Sequence, residues 1–198
     1  MGLPEIFISF QTAAVSAITR SARGVLAVAV KDATEGGAAE AAYKSLAEVP
    51  EDKFSPENYR LLKLAFLAAP TKVWVLRVGE DAEKTYQALE RLHFDWLAAP
   101  GLDDARVMSF IKTLRNGGRG VKAVVANATA PDCEGIVNLC VSGLTLEDGA
   151  MEAKDYAVRV AALLAALPLT RSATYVNLPE VVGCDALAEP DADVDAGK

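Results

Sequence analysis

The sequence has few of the residues that build catalytic and metal sites. Its 198 residues include one histidine, His93, and three cysteines. One histidine cannot supply a convincing zinc site, and no G-x-S-x-G motif accompanies it to suggest a hydrolase. Cys133, Cys140 and Cys184 form no C-x-x-C pair, and their odd number argues against a framework of disulfide bonds. We expect reduced thiols, no metal and no cofactor.

Positive charge and long apolar runs are also scarce. Lysine and arginine total 20 against 27 acidic residues, giving a net charge of −7. A nucleic-acid binder needs a basic surface to neutralise phosphates, so no nucleic-acid partner is expected. The longest apolar run, residues 158–169, contains Arg159 and falls short of the roughly 18 residues of a membrane span. The N-terminus has no basic region typical of a signal peptide, so we expect a cytoplasmic protein without a membrane partner.

Hydrophobic residues make up 52% of the chain, enough for a sizeable core. Val25–Val30 is a continuous apolar run, the pattern of a strand that is covered on both faces. Further strands are predicted at 72–78, 94–99, 121–127, 136–141 and 173–178, and helices at 38–46, 55–67, 81–92, 103–114 and 151–167. This alternation predicts an α/β fold, with a mostly parallel sheet covered by helices on both faces.

The first ten residues form an isolated strand pattern. Ile6, Ile8 and Phe10 fall on one face of a strand and Phe7 with Ser9 on the other. No tight turn follows, because the next stretch, residues 11–23, is polar and rich in Ala, Ser and Thr. Such a strand joins either a distant edge of its own sheet or the edge of another molecule, and we favour another molecule.

An alternative function, that of an α/β enzyme or a nucleotide- or metal-binding module, depends on four features of the sequence. Asp103 and Asp104 are a possible carboxylate site, although their position also suits a helix N-terminus. The segment 117–120 is glycine-rich, but it follows a helix and precedes a strand, the reverse of a phosphate loop. The segment 79–81 follows a strand but is acidic. His93 is interpreted as a residue at a helix C-terminus.

Three stretches carry a resemblance to a known family. They are the N-terminus through residue 32, the segment Asp95-Trp-Leu-Ala-Ala-Pro-Gly101 followed by Lys122-Ala-Val-Val-Ala-Asn127, and the helix that ends in Pro168-Leu-Thr-Arg-Ser-Ala-Thr-Tyr175. In order and composition the chain resembles contractile tail sheath proteins of bacteriophages, prophages and phage-tail-like bacteriocins of Gram-positive bacteria. The core domain of that family is often labelled subtilisin-like, but the label implies no protease.

The resemblance implies a structural and non-enzymatic role. Sheath subunits stack helically around an inner tube, exchange strand-like arms and contract to drive the tube through a target envelope. Expected partners are other sheath subunits, the inner tail tube protein, the baseplate and the tail terminator. Expected locations are the bacterial host cytoplasm during assembly and then the virion tail or a released tail-like particle. The arm is expected at Ile6, Phe7, Ile8, Ser9 and Phe10, and the hinge at Thr12, Ser16 and Ser21.

The same resemblance divides the chain into three parts. Residues 1–23 are expected to form the arm and linker, residues 24–180 the core domain, and residues 181–198 an acidic linker. Sheath proteins of this type continue into a C-terminal domain that contacts the tube and receives neighbouring arms. The sequence is therefore expected to be a shortened form or proteolytic fragment of a longer protein.

Overall fold

The computed structural model describes residues 24–126, 133–168 and 170–186, so the predicted arm and hinge lie outside the described residues. The four α-helices in these ranges are α1 (Pro56–Phe66), α2 (Ala82–Arg91), α3 (Asp104–Asn116) and α4 (Ala153–Ala166). The strands are β1 (Val25–Val30), β2 (Glu40–Tyr43), β3 (Lys72–Arg77), β4 (Trp96–Ala98), β5 (Lys122–Ala126), β6 (Ile136–Leu139), β7 (Thr145–Leu146), β8 (Gly149–Ala150) and β9 (Val181–Gly183).

The main sheet has the strand order β2-β3-β1-β4-β5-β6, with every pairing parallel except that of β2 with β3. This confirms the predicted α/β class. β1 lies inside the sheet, where Val28 is paired with Val75 on one side and Ala98 on the other. A second, small sheet has the order β8-β7-β9.

The two faces of β1 supply the two halves of the core. Leu26, Val28 and Val30 pack with residues of α1 and α4, whereas Ala27 and Ala29 pack with residues of α2 and α3. Every residue of β1 is at most 5% exposed. The apolar run was therefore interpreted correctly as a strand covered on both faces.

Local capping explains where three of the helices begin. The Ser55 hydroxyl accepts a hydrogen bond from the amide of Asn58, and Pro56 occupies the first turn of α1. Asp81 and Asp103 cap α2 and α3 in the same way. These side chains satisfy amide groups that have no partner inside the helix, so the helix starts predicted from the sequence are confirmed.

Two elements were predicted wrongly. The segment 38–46 is not a helix, because its residues Glu40–Tyr43 pair with β3 as an antiparallel edge strand, and Tyr43 packs edge-on against Phe54. Long-range pairing overrides the helical preference of its alanines. The segment 173–178 is not a strand but a loop, and the late strand lies at Val181–Gly183 instead.

Gly101 allows a close contact between β1 and the loop that follows β4. Its amide donates to the Ala29 carbonyl at 2.9 Å, and a methyl group added at Gly101 would lie 2.7 Å from the Lys31 amide nitrogen. Since that obstacle is backbone at the end of a buried strand, it cannot move without disturbing the sheet.

We predict that Gly101→Ala lowers the free energy of unfolding by about 1–3 kcal/mol, because the added methyl group overpacks this junction. Gly79→Ala is the matched control. Gly79 follows β3 in the equivalent place and has nothing within 4 Å of an added methyl group. Urea unfolding of both variants measures the difference, and equal stability of the two variants would contradict this packing argument.

Candidate functional site

In doubly wound folds, ligands bind at the carboxyl ends of the strands, where successive crossovers diverge to opposite sides. Here that point lies between β1 and β4. The deepest part is filled by the contact of Gly101 with the backbone of β1. What remains is a shallow depression of about 730 Å³ that includes Lys31, Tyr86, Asp103 and Arg106 in its lining. The protein thus occupies much of the usual ligand position with its own backbone.

Asp32, at the carboxyl end of β1, has a structural role, because its carboxylate is hydrogen-bonded to neighbouring loops and to the start of α1. Its carboxylate accepts hydrogen bonds from the amides of Thr34 (2.9 Å) and Ser55 (3.0 Å) and from the Asn58 amide group (2.8 Å). Arg77 lies 3.7 Å away. Burial alone raises the pKa of Asp32, but these hydrogen bonds outweigh it and lower the pKa to about 2. This carboxylate joins β1 to the start of α1.

The proposed carboxylate pair Asp103 and Asp104 is divided between two structural tasks. Asp103 caps α3 by accepting from the Arg106 amide at 3.0 Å. Asp104 lies 3.4 Å from the Lys154 ammonium group, which also donates to the Leu102 carbonyl. Within the described ranges there is no group of three or more His, Cys, Asp or Glu residues placed to hold a metal ion.

The glycine-rich segment and His93 lie at the opposite edge of the sheet. Residues 117–119 end α3, with the Gly118 amide bonded to the Arg115 carbonyl and Gly118 in the left-handed region at φ 86°. This geometry confirms the interpretation as a helix C-terminus. His93 is exposed between α2 and β4, and no hydrogen bond joins its ring to another described residue.

Arg119 has a role that the sequence did not reveal. Its guanidinium donates to the carbonyls of Glu90 (2.9 Å) and Leu92 (2.6 Å) and stacks on Phe94, with 5.3 Å to the ring centre. It therefore satisfies carbonyl groups at the end of α2. An arginine after a glycine-rich turn does not by itself predict these hydrogen bonds. Arg119 and its partners are separated in the sequence by β4 and α3.

A second long-range cluster ties the small sheet to α4. Arg159 is only 6% exposed, and its Nε donates to Glu180 at 2.6 Å. The Tyr156 hydroxyl donates to the same oxygen at 3.0 Å. Burial and the Glu180 carboxylate raise the pKa of Tyr156. Burial acts to raise the pKa of Glu180, but hydrogen bonds, including those from Arg159 and Tyr156, lower it overall. The position of Arg159 inside an apolar run is visible in the sequence, but the sequence does not reveal that Glu180 is its partner.

No helix within the described ranges is both long and apolar enough to span a bilayer. The features found at both edges of the sheet, namely caps, ion pairs and close backbone contacts, support the fold. The described residues form an α/β domain with charged, exposed edges.

Solved structures share this fold. A sheath tail protein from Desulfitobacterium hafniense matches with a TM-score of 0.74 and 16% identity, covering 100% of this chain and 71% of its own. A sheath tail protein from Listeria innocua matches at 0.71 and 17%, covering 87% and 63%. A chain from the baseplate of the anti-feeding prophage matches at 0.61 and 11%, covering 99% and 62%. The fold is therefore that of sheath tail proteins.

The sequence itself is related to the tail sheath protein of Clostridium phage phiCD119. The two are 32% identical over 216 aligned positions, which cover all of this chain and 58% of the relative. No family model matches the chain. The chain is a homologue of this tail sheath protein, which confirms the resemblance, and it spans a little over half the length of that relative.

The Asp32 network predicts how stability depends on pH. The ordinary pKa of 3.8 is lowered to about 2 by folding, so the carboxylate contributes stability above about pH 4 that is lost as the pH falls towards 2. We expect Asp32→Asn to lower the free energy of unfolding at pH 7 by about 2 kcal/mol and to flatten its decline between pH 4 and 2. Urea unfolding across this pH range measures both effects.

Asp52→Asn is the control for Asp32→Asn, because it removes the same charge from a side chain that is 72% exposed. It should change stability by less than about 0.5 kcal/mol. A steep acid decline that persists in Asp32→Asn would show that another group is responsible.

The Arg159–Glu180 pair predicts a strong coupling. Glu180→Gln should lower the free energy of unfolding by about 3 kcal/mol, because it leaves Arg159 buried without a counter-charge. In the double variant with Arg159→Met the loss should be smaller than the sum of the single losses. Thermal or urea unfolding measures the cycle, with Glu147→Gln, an exposed glutamate, as control. Additive effects would contradict the coupling.

Proposed function

We propose that this chain is a structural subunit of a contractile tail sheath, without enzymatic activity. The observation that carries the proposal is the alignment of the entire chain with the tail sheath protein of phage phiCD119 at 32% identity. The shared fold with sheath tail proteins supports it. In this role the subunit polymerises helically around an inner tube and contracts to drive it through a target envelope.

The division of labour within the chain belongs to the same proposal. Residues 1–23 act as arm and linker, residues 24–180 form the core domain, and residues 181–198 act as an acidic linker. The strand pattern at Ile6–Phe10 supports strand addition to a neighbouring subunit, since main-chain hydrogen bonds then link the subunits. The polar residues Thr12, Ser16 and Ser21 supply the hinge that keeps the arm attached while the core domain moves.

The partners follow from this role. They are other sheath subunits, the inner tail tube protein, the baseplate and the tail terminator. The protein assembles in the host cytoplasm and then resides in a tail or tail-like particle. A core domain held by buried side chains on both faces of β1 moves as a rigid body, which supports contraction by rearranged contacts between subunits.

We predict that deleting residues 1–10 from the complete protein leaves the core domain folded but abolishes sheath formation. In this proposal the arm contributes strand pairing between subunits, whereas the two described core clusters are built from residues between Val25 and Leu164. Electron microscopy of assembled particles and circular dichroism of the subunit measure the two outcomes. Asp52→Asn, which changes an exposed side chain of the core domain and keeps the arm, is the control. Normal sheaths from the deleted protein would refute strand exchange by the arm.

A further inference from the structure

The edge of the main sheet at which the parallel strands begin carries a groove of about 500 Å³. It lies between the loop that precedes β4, the loop that precedes β5 and the end of α4. We call it the basic groove and define it by Trp96, Arg119, Lys122, Leu167, Pro168 and Arg171. Its lining combines cationic side chains with an apolar part that comes from the end of α4.

Two cations of the basic groove have no ion-pair partner among the described residues. Lys122 is exposed, with its ammonium group 5.2 Å from the centre of the Trp96 ring, and Arg171 is exposed on the loop after α4. Arg119 adds a third positive charge, although its guanidinium is already bonded to backbone carbonyls. Asp95 is the acidic residue of the described lining, and its carboxylate accepts hydrogen bonds from backbone amides at the start of β1. The lining therefore has an excess of positive charge.

Residues that adjoin the lining leave this excess in place. Glu90, exposed near the end of α2, is balanced by its neighbour Arg91, which is also exposed. The segment that leads into Gly24, itself a lining residue, carries Arg20 and Arg23 and has no acidic residue from position 6 to 23. A segment that fits the groove must therefore bring negative charge, and the residues before Gly24 do not.

Residues 187–198, which we call the acidic segment, carry the complementary charge. They lie outside the described residues, and their sequence contains four acidic residues and one lysine. The acidic residues Glu189, Asp191, Asp193 and Asp195 alternate with Pro190, Ala192, Val194 and Ala196. Because alternate residues of an extended chain point to opposite sides, an extended segment of this sequence has one acidic and one apolar side. The basic groove offers a partner to each side.

The acidic segment is long enough to reach the basic groove of its own chain. The Asp185 amide donates to the Ser142 carbonyl at 2.9 Å, beyond the carboxyl end of β6. The basic groove lies at the other edge of the sheet, and α4 runs between the two edges over 14 residues, or about 21 Å. The nine residues from 187 to 195 span about 30 Å when fully extended.

We propose that the acidic segment docks as an extended chain in the basic groove of the same molecule. Its acidic side lies on Lys122 and Arg171, and its apolar side lies on Leu167 and Pro168. Exposed ion pairs are individually weak, but the covalent connection gives the segment a high effective concentration at the groove. The inference goes beyond the proposed function and does not rest on it, since the contact lies within one chain.

The test measures, by fluorescence anisotropy at low ionic strength, how tightly the chain binds a labelled peptide with the sequence of residues 187–198. The tail-neutral variant carries Glu189→Gln, Asp191→Asn, Asp193→Asn and Asp195→Asn, so its groove should be open and should bind the peptide. Wild type should bind the peptide about tenfold more weakly, because its own acidic segment competes at high effective concentration. Adding Lys122→Glu and Arg171→Glu to the tail-neutral variant should weaken peptide binding about tenfold.

Two controls separate the basic groove from general charge attraction. Lys84→Glu with Lys112→Glu, added to the tail-neutral variant, changes the net charge equally at two exposed lysines outside the groove lining, and should leave peptide binding nearly unchanged. A peptide of the same composition with its four acidic residues made consecutive should bind more weakly, because it has no separate acidic and apolar sides. Circular dichroism verifies that each variant is folded, and Arg171→Glu alone, on an exposed loop, replaces the groove variant if that variant is not.

A folded tail-neutral variant that does not bind the peptide would overturn the proposal. Equal affinity of wild type and the tail-neutral variant would also overturn it, because the groove would then be open in the wild-type chain. Sedimentation velocity covers the remaining occupant. Wild type that is dimeric while the tail-neutral variant is monomeric would place the acidic segment on a second copy and would refute docking within one chain.

Discussion

The burial of β1 is the constraint on which the rest of the structure depends. All six residues of this strand are at most 5% exposed, and they contribute to both halves of the core. Because its two neighbours pair with it in parallel, the chain must cross over it to reach β4. The helices α2, which joins β3 to β4, and α3, which joins β4 to β5, pack on one face of the sheet, and α1 and α4 pack on the other. Gly101 and Asp32 then fasten the loops at its carboxyl end.

The same topology decides at which edge of the sheet each helix begins and ends. Helices that return antiparallel to the strands place their N-termini at the carboxyl edge of the sheet and their C-termini at the amino edge. Acidic residues stabilise the first and basic residues the second. Acidic residues therefore lie in the first turns of the four α-helices and basic residues in the last turns of three of them.

Local signals in the sequence predicted those parts of the fold that depend on nearby residues. β1 is recognisable from one continuous apolar run. Each of the capping residues Ser55, Asp81 and Asp103 accepts a hydrogen bond from an amide only two or three residues further along the chain. The strand β2 was missed because its partner β3 lies beyond the whole of α1, and an alanine-rich segment looks helical without that partner.

The contacts that tie distant segments together could not be predicted for the same reason. Glu180 reaches Arg159 across a loop, and Arg119 reaches carbonyls at the end of another helix. Neither pairing leaves a fixed spacing in the sequence. The interpretation of Asp103 as a helix cap was correct because capping is local, whereas the contact of Asp104 with Lys154 joins residues 50 positions apart and could not be predicted.

The central claim is that the core domain keeps its fold in the assembled particle, while the N-terminal arm pairs with the sheet of a neighbouring subunit. Electron cryomicroscopy of an assembled particle that contains this chain tests it most directly. The account predicts a core domain unchanged from the fold described above, with residues 6–10 paired to the sheet of an adjacent subunit. Density that shows those residues paired to a sheet of their own subunit would contradict it.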